Sequence, residues 1–445
     1  PHGSTVAYQI VNARIVNEGA IHGGSLSVDD GRILGIDVPP PPGAEVIDAA
    51  GSYLLPGLID DQVHFREPGF EHKATIETES RAAVSGGITS YMEMPNTNPQ
   101  TATAEAMADK HARAAARSMA NYSFFFGATN DNLEEIKRID PALACGVKVF
   151  MGSSTGNMLV DDETVLEGIF SSTPLVIATH CEHTPTLKIN EAAARERFGD
   201  AIPFSQHPII RSVEVCYRSS SLAVELARRH GARLHVLHLT TARELELFDR
   251  GPVAGKRITA EACVHHLFFD DTAYATHGSH VVCNPAIKTT ADRAAIWEAV
   301  RDDRIDVIAT DHAPHTLEEK AGPYGSAPAG LPLVQHSLLS LFEHVAAGRF
   351  TMEQLVQKTS HAPATLFGIR DRGYLRPGYW ADLVLLDPSS PTPADAPLHA
   401  KCGWSPFAGM RFSSQVRMTW VNGELRYQDG RFLPGSGGRR LEFDR

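Results

Sequence analysis

The sequence predicts an α/β chain built as a (β/α)8 barrel, with a small β-sandwich formed by both chain ends. Three observations carry that prediction: eight short apolar or β-branched runs recur along the middle of the chain, Ala-rich amphipathic segments separate most of them, and the two flanks switch to an alternating pattern. At 445 residues the chain exceeds a typical single domain. The expected division is 1–52 with 374–445 as the composite end domain, and 53–373 as the barrel.

The barrel strands are read in order. They are YLLPGLID (53–60), ITSYMEM (88–94), YSFFFGA (122–128), CGVKVFM (145–151), LVIATH (175–180), RLHVLHL (233–239), RITAEAC (257–263) and IDVIATD (305–311). Helices fit between them, for instance over 104–120 and 213–231. The competing architecture for such alternation is a doubly wound open sheet. Before the barrel, turn signals at Asn17-Glu18-Gly19 and Asp29-Asp30-Gly31 punctuate an alternating stretch, and YWADLVLLD and SQVRMTWVNGELRYQDGRF repeat that pattern after it. Both flanks therefore read as antiparallel strands of one appended domain.

Composition narrows the function. A hydrophobic content of 42% supports a full core, and a net charge of −12 leaves no basic excess for a nucleic-acid backbone. No apolar run reaches the roughly 20 residues a membrane helix needs. The first residues, PHGSTVAYQI, lack the charged-then-apolar layout of a secretion signal, and the six scattered cysteines form no framework, so a cytoplasmic protein acting on a small molecule is expected.

Barrels of this kind carry chemistry at the C-terminal ends of their strands. Metal-binding types fall there repeatedly: His64 after the first strand, Lys148 in the fourth, His180 ending the fifth, His238 ending the sixth and Asp311 ending the eighth. One such histidine is more often a satisfied core residue than a ligand; five coincident positions form a pattern. Neutral imidazoles with a carboxylate suit zinc or a similar divalent ion. Lys148 stands apart, because an ammonium beside divalent ions is repelled, and on chemistry alone it reads as a lysine reaching to solvent. Cys181 reads as a buried thiol, since adjacent strand residues face opposite ways. His265 and His266 read as supporting residues, Glu182 as a neighbour of the ligands, and Asp161 and Asp162 as a solvated helix start.

Several motifs resemble the amidohydrolase superfamily, and within it the dihydroorotases. They are GLID with VHFREPG (57–69), MEMPNTNP (92–99), GVKVFM (146–151), THCE (179–182), LHLTT (237–241), CNPAIK (283–288), ATDHAPH (309–315) and CGWSPF (402–407). The resemblance implies that His64, His180, His238 and Asp311 are metal ligands and that Lys148 is carboxylated, its carbamate bridging two zinc ions. It implies that Arg66 and Asn96 hold a substrate carboxylate, that Asn284 and His315 bind a pyrimidine ring, and that the stretch 323–336 supplies backbone contacts above the metals. The implied reaction interconverts L-dihydroorotate and N-carbamoyl-L-aspartate in pyrimidine synthesis, with Asp311 as base and then acid. A homodimer and a transcarbamoylase partner are further implications.

One departure stands out. The family motif has His, any residue, His, and this chain has Gln62, Val63, His64. An amide oxygen is a poorer zinc ligand than imidazole, so one or two ions are expected, the outer weaker than the inner ion held by His180, His238 and Lys148. Asp61 reads as a polar cap on the strand end. A hydantoinase or allantoinase, or a catalytically silent scaffold for a transcarbamoylase, are the alternatives; Arg66 and Asn96 oppose the first and the retained ligand ring opposes the second.

Overall fold

The computed structural model describes residues 6–152, 158–435 and 437–445, so residues 1–5 of the expected end domain lie outside the described residues. Eight parallel strands run in sequence order around a barrel: Leu58–Val63, Ile88–Glu93, Asn121–Gly127, Ala144–Phe150, Ile177–His180, Leu234–Val236, Ile258–Cys263 and Val307–Ala309. The ring closes where His64 N donates to His312 O at 2.7 Å and Val63 bridges His312 in parallel. That closure excludes the open sheet.

The helices between strands begin at side-chain caps. Ala104–Arg117 starts where Thr103 accepts from Ala106 N, and Val213–His230 starts at Ser212 and stops at Gly231, whose φ of 62° suits a residue without Cβ. Both end slightly inside their expected spans.

The expected first strand divides. Tyr53–Pro56 pairs with Arg14–Ile15 and with Leu383–Leu386, so it belongs to the sheet built from the chain ends, and only Leu58–Val63 enters the barrel. Gly57 is the junction: a Cβ there would lie 2.0 Å from Thr89 Oγ1. The terminal sheet has nine strands, and Tyr8, Ile10, Leu26, Leu383 and Trp420 form its own apolar core. Tyr53–Pro56 thereby ties both chain ends to the first barrel strand. Among the described residues, no helix is long and apolar enough to cross a membrane.

Candidate metal centre

Two strands stop short of the residues they aim. The sixth ends at Val236 and the eighth at Ala309, and two residues beyond them His238 and Asp311 take positive φ values of 39° and 55°. Arg66, past the first strand, has φ 69°. Non-glycine residues pay for that backbone region and persist in it where surrounding structure holds them, commonly at functional sites. Leaving the ladder turns these side chains inward over the barrel mouth.

There they meet. One cavity of about 110 Å3 is lined by Gln62, His64, Arg66, Asn96, Lys148, His180, His238, Asn284, Asp311 and His315, the complete set singled out from the sequence. Sites for drug-sized ligands run to roughly 300–1,000 Å3, so this one suits a small molecule. Phe150, Cys283, Ala313, Ala329 and Gly330 complete the lining. Ala329 and Gly330 bring the 323–336 stretch to the cavity wall as backbone, and Gly330 is required there, since a Cβ would come within 2.4 Å of Ala313 O.

Hydrogen bonds orient the imidazoles as candidate ligands. His180 Nε2 stands 2.7 Å from Glu182 Oε1, which accepts its N–H and leaves Nδ1 as a lone pair 3.1 Å from His238 Nε2. Two nitrogens bound to one tetrahedral zinc ion lie about 3.3 Å apart. Burial, with His180 and Lys148 nearby, holds His238 well below the usual imidazole range, so it is neutral and able to ligate. Glu182 is itself pinned by Arg211 at 2.5 Å; despite burial, Arg211 and His180 lower its carboxyl to about 2. The sequence placed Glu182 beside the ligands but missed Arg211.

The other half of the ring is built alike. His64 Nδ1 is 2.8 Å from Asn96 Oδ1, so Nε2 presents its lone pair toward Asp311 Oδ1 at 3.2 Å. Two acceptors facing each other suit a cation between them. Gln62 lines the same wall, where Cys263 Sγ donates to its Oε1 at 3.7 Å. Asn96 thus orients a candidate ligand.

Lys148 does not reach solvent. It is 1% exposed, Nζ donates to the Met94 thioether at 3.5 Å and sits 4.4 Å from the centre of the Phe150 ring, and burial lowers its pKa to about 8. Among the described residues no carboxylate pairs with it. A buried amine so placed is easily neutral, the form that adds carbon dioxide, and its carbamate would bring the anion a metal pair needs. The donor set therefore fits divalent ions: His180 with its tautomer fixed, neutral His238 and Lys148 on one side, and His64 and Asp311 with a weak amide donor on the other.

Next to this ring lie polar groups that would meet an organic ligand. Arg66 is buried, donates Nε to Pro314 O at 3.0 Å, and has its pKa lowered to about 10 by burial, so it stays cationic. His315 accepts from Lys73 Nζ at 2.8 Å on Nδ1 and donates Nε2 to Ala329 O at 2.9 Å, while Trp404 Nε1 donates to the His315 carbonyl at 2.7 Å. Burial, with Arg66 and Lys73, keeps the His315 ring neutral. Asn284 Oδ1 is buried without a hydrogen-bond partner, an acceptor that a ring N–H would satisfy.

The remaining sequence readings sort clearly. Cys181 is a buried thiol donating to Thr179 Oγ1 at 3.2 Å, its pKa pushed up to about 11 by burial. His266 Nε2 meets Pro285 O at 3.0 Å, supporting the turn that carries Asn284, and Asp162 caps the helix Glu163–Ser172. Asp61 is not a strand cap. It is fully buried inside the barrel, with Oδ2 at 3.1 Å from His235 Nε2, because the first strand bulges between Asp60 and Val63 and strict alternation fails there.

Comparison with known proteins agrees with this geometry. The amidohydrolase family model matches residues 53–426. A dihydroorotase of Halobacterium salinarum is 35% identical over 82% of this chain and 84% of its own, and one of Pediococcus pentosaceus is 32% identical over 94% of this chain and 98% of its own. Among solved structures, an L-hydantoinase (dihydropyrimidinase) of Arthrobacter aurescens superposes with a TM-score of 0.91 at 26% identity, covering 98% of this chain and 99% of that one.

Proposed function

The chain belongs to the amidohydrolase family, and from that membership we propose that it is a dihydroorotase, interconverting L-dihydroorotate and N-carbamoyl-L-aspartate in pyrimidine synthesis. The observation that carries the choice of substrate is the shared cavity: the metal-ligand ring and the buried cationic fork of Arg66 line one wall-to-wall space with Asn96, Asn284 and His315. Curated dihydroorotases aligned over most of the chain support the same reading.

In this reading His64, Lys148 as carbamate, His180, His238 and Asp311 hold one or two zinc ions, with Gln62 a marginal donor. Zinc bound there would polarise a carbonyl oxygen and lower the pKa of a water. Asp311 accepts the proton of the attacking water and returns it to the ring nitrogen, so the amide C–N bond breaks as that nitrogen departs as the neutral NH2 of a ureido group. Arg66 offers two parallel N–H donors to the ring carboxylate. Asn284 accepts from a ring N–H, and His315 with the 329–330 backbone closes the pocket.

The hydantoinase reading has the fold in its favour, given the superposition on the Arthrobacter aurescens enzyme. A buried guanidinium on the cavity wall favours a substrate bearing a carboxylate. The comparison of L-dihydroorotate with 5,6-dihydrouracil, the same ring without its carboxylate, tests the choice. A site built around Arg66 is expected to discriminate by about 10,000-fold or more in kcat/KM, as sites with buried polar groups do against analogues that leave them unpaired. Equal turnover of both would move the assignment to the hydantoinases.

A further inference from the structure

One strand step below the mouth, a second cluster of donor atoms lies wholly inside the barrel. Asp61 of the first strand, His235 of the sixth and Glu261 of the seventh are each fully buried, none lines the cavity above, and one ligand atom from each lies within 4.8 Å of the others. The inside of such a barrel is ordinarily filled by branched aliphatic side chains. Two carboxylates and an imidazole in that place need a physical reason.

The hydrogen bonds around His235 supply one. Thr259 Oγ1 donates to Leu234 O at 3.3 Å and stands 2.7 Å from His235 Nδ1, so Nδ1 carries the proton and donates it to Thr259. That leaves Nε2 as a lone pair, and Nε2 lies 3.1 Å from both Asp61 Oδ2 and Glu261 Oε2. Three acceptor atoms point at one another. Neither Asp61 oxygen has a hydrogen-bond partner, although both are buried.

We infer that Asp61, His235 and Glu261 form a cation site for a divalent first-row metal, distinct from the centre at the mouth. Donor atoms on one tetrahedral zinc ion are separated by about 3.3 Å, close to the 3.1 Å found on both sides of His235 Nε2. Charge favours a divalent ion over a single proton. A single proton on Nε2 would leave one negative charge in the barrel core unless Glu261, whose carboxyl burial and Asp61 push well above its usual range, took a second, whereas one 2+ ion balances both carboxylates and uses all three donors. The mixed nitrogen and oxygen donors suit zinc, manganese or cobalt better than calcium or magnesium. Cys263 Sγ donates to Glu261 Oε1 at 3.6 Å and to Gln62 Oε1 at 3.7 Å, so it separates this cluster from the mouth. The site does not depend on the reaction proposed above.

Crystals of the intact protein loaded with zinc, measured on both sides of the zinc absorption edge, test this. The expected anomalous map has a peak about 2 Å from Asp61, His235 Nε2 and Glu261, resolved from any peak beside His180 and His238. A core peak without mouth peaks would uphold this site while removing support for the zinc reading of the mouth. No core peak, whatever the mouth shows, would overturn it and leave the cluster as carboxylates sharing protons. Metal counting by native mass spectrometry gives the second readout: Asp61→Asn is expected to carry one ion per chain fewer than the parent protein, and an unchanged count in folded Asp61→Asn would overturn the site.

Discussion

His180 Nδ1 and His238 Nε2 face each other 3.1 Å apart at the barrel mouth, and Glu182 accepts the Nε2–H of His180, so His180 Nδ1 presents a lone pair to the point it shares with His238. The opposite pair, His64 and Asp311, does the same at 3.2 Å but has Gln62 where a third strong donor would stand. The two halves are chemically unequal.

Metal release should therefore occur in two steps. Stepwise removal with a chelator is expected to take the ion beside His64 first, and Gln62→His should tighten that ion by at least the roughly 10–100-fold that even outer-shell partners contribute. Two ions leaving together from the parent protein would contradict the inequality.

Glu182 is expected to act through His180. Glu182→Gln loses the carboxylate that fixes the tautomer, and affinity at the inner position should fall roughly 10–100-fold with the outer ion little changed. Stability carries a matching signature. The folded pKa of about 2 lies below that of a free glutamate, so this carboxylate stabilises the fold above the unfolded value and loses that contribution as pH falls toward 2. Glu182→Gln should flatten the acid limb of a denaturation series; an unchanged limb would show that Glu182 does not contribute to it.

Lys148 sets a pH dependence of activation. With its pKa near 8 the amine is mostly protonated at pH 7 and mostly neutral at pH 9, and only the neutral amine adds carbon dioxide. At fixed dissolved carbon dioxide, the initial rate of carbamate formation should rise roughly tenfold from pH 7 to pH 9, read by NMR with 13C-bicarbonate. Lys148→Met should abolish the signal, and a carbamate signal surviving in that variant would place it elsewhere.

Arg66→Lys keeps the charge and loses the planar fork. One charge-assisted hydrogen bond is worth about 1.5–3 kcal/mol, so kcat/KM for L-dihydroorotate should drop about 10–150-fold, with metal content unchanged. A variant as active as the parent would show that Arg66 does not grip the carboxylate.

Much of the site could be read from residues because the barrel ties function to strand ends, and His180, His238 and Asp311 each fall where an apolar run stops. What escaped notice depended on departures from regular geometry. Alternation along a strand gives Asp61 and Gln62 opposite faces, yet the bulge between Asp60 and Val63 puts Asp61 against His235 and Gln62 on the cavity. YLLPGLID reads as one run, but the close approach of Thr89 at Gly57 divides it between two sheets. Arg211 and Lys73, which hold Glu182 and His315, come from segments with no motif of their own; only the fold brings them in.

The most direct test is turnover of L-dihydroorotate by purified protein loaded with zinc and supplied with bicarbonate, alongside Asp311→Ala prepared in the same way. Ring opening by the parent, reduced roughly 100- to 10,000-fold in the variant, is the predicted result and would establish that a mouth carrying Gln62 is catalytically competent. A folded, metal-bearing parent protein that leaves L-dihydroorotate intact would contradict it.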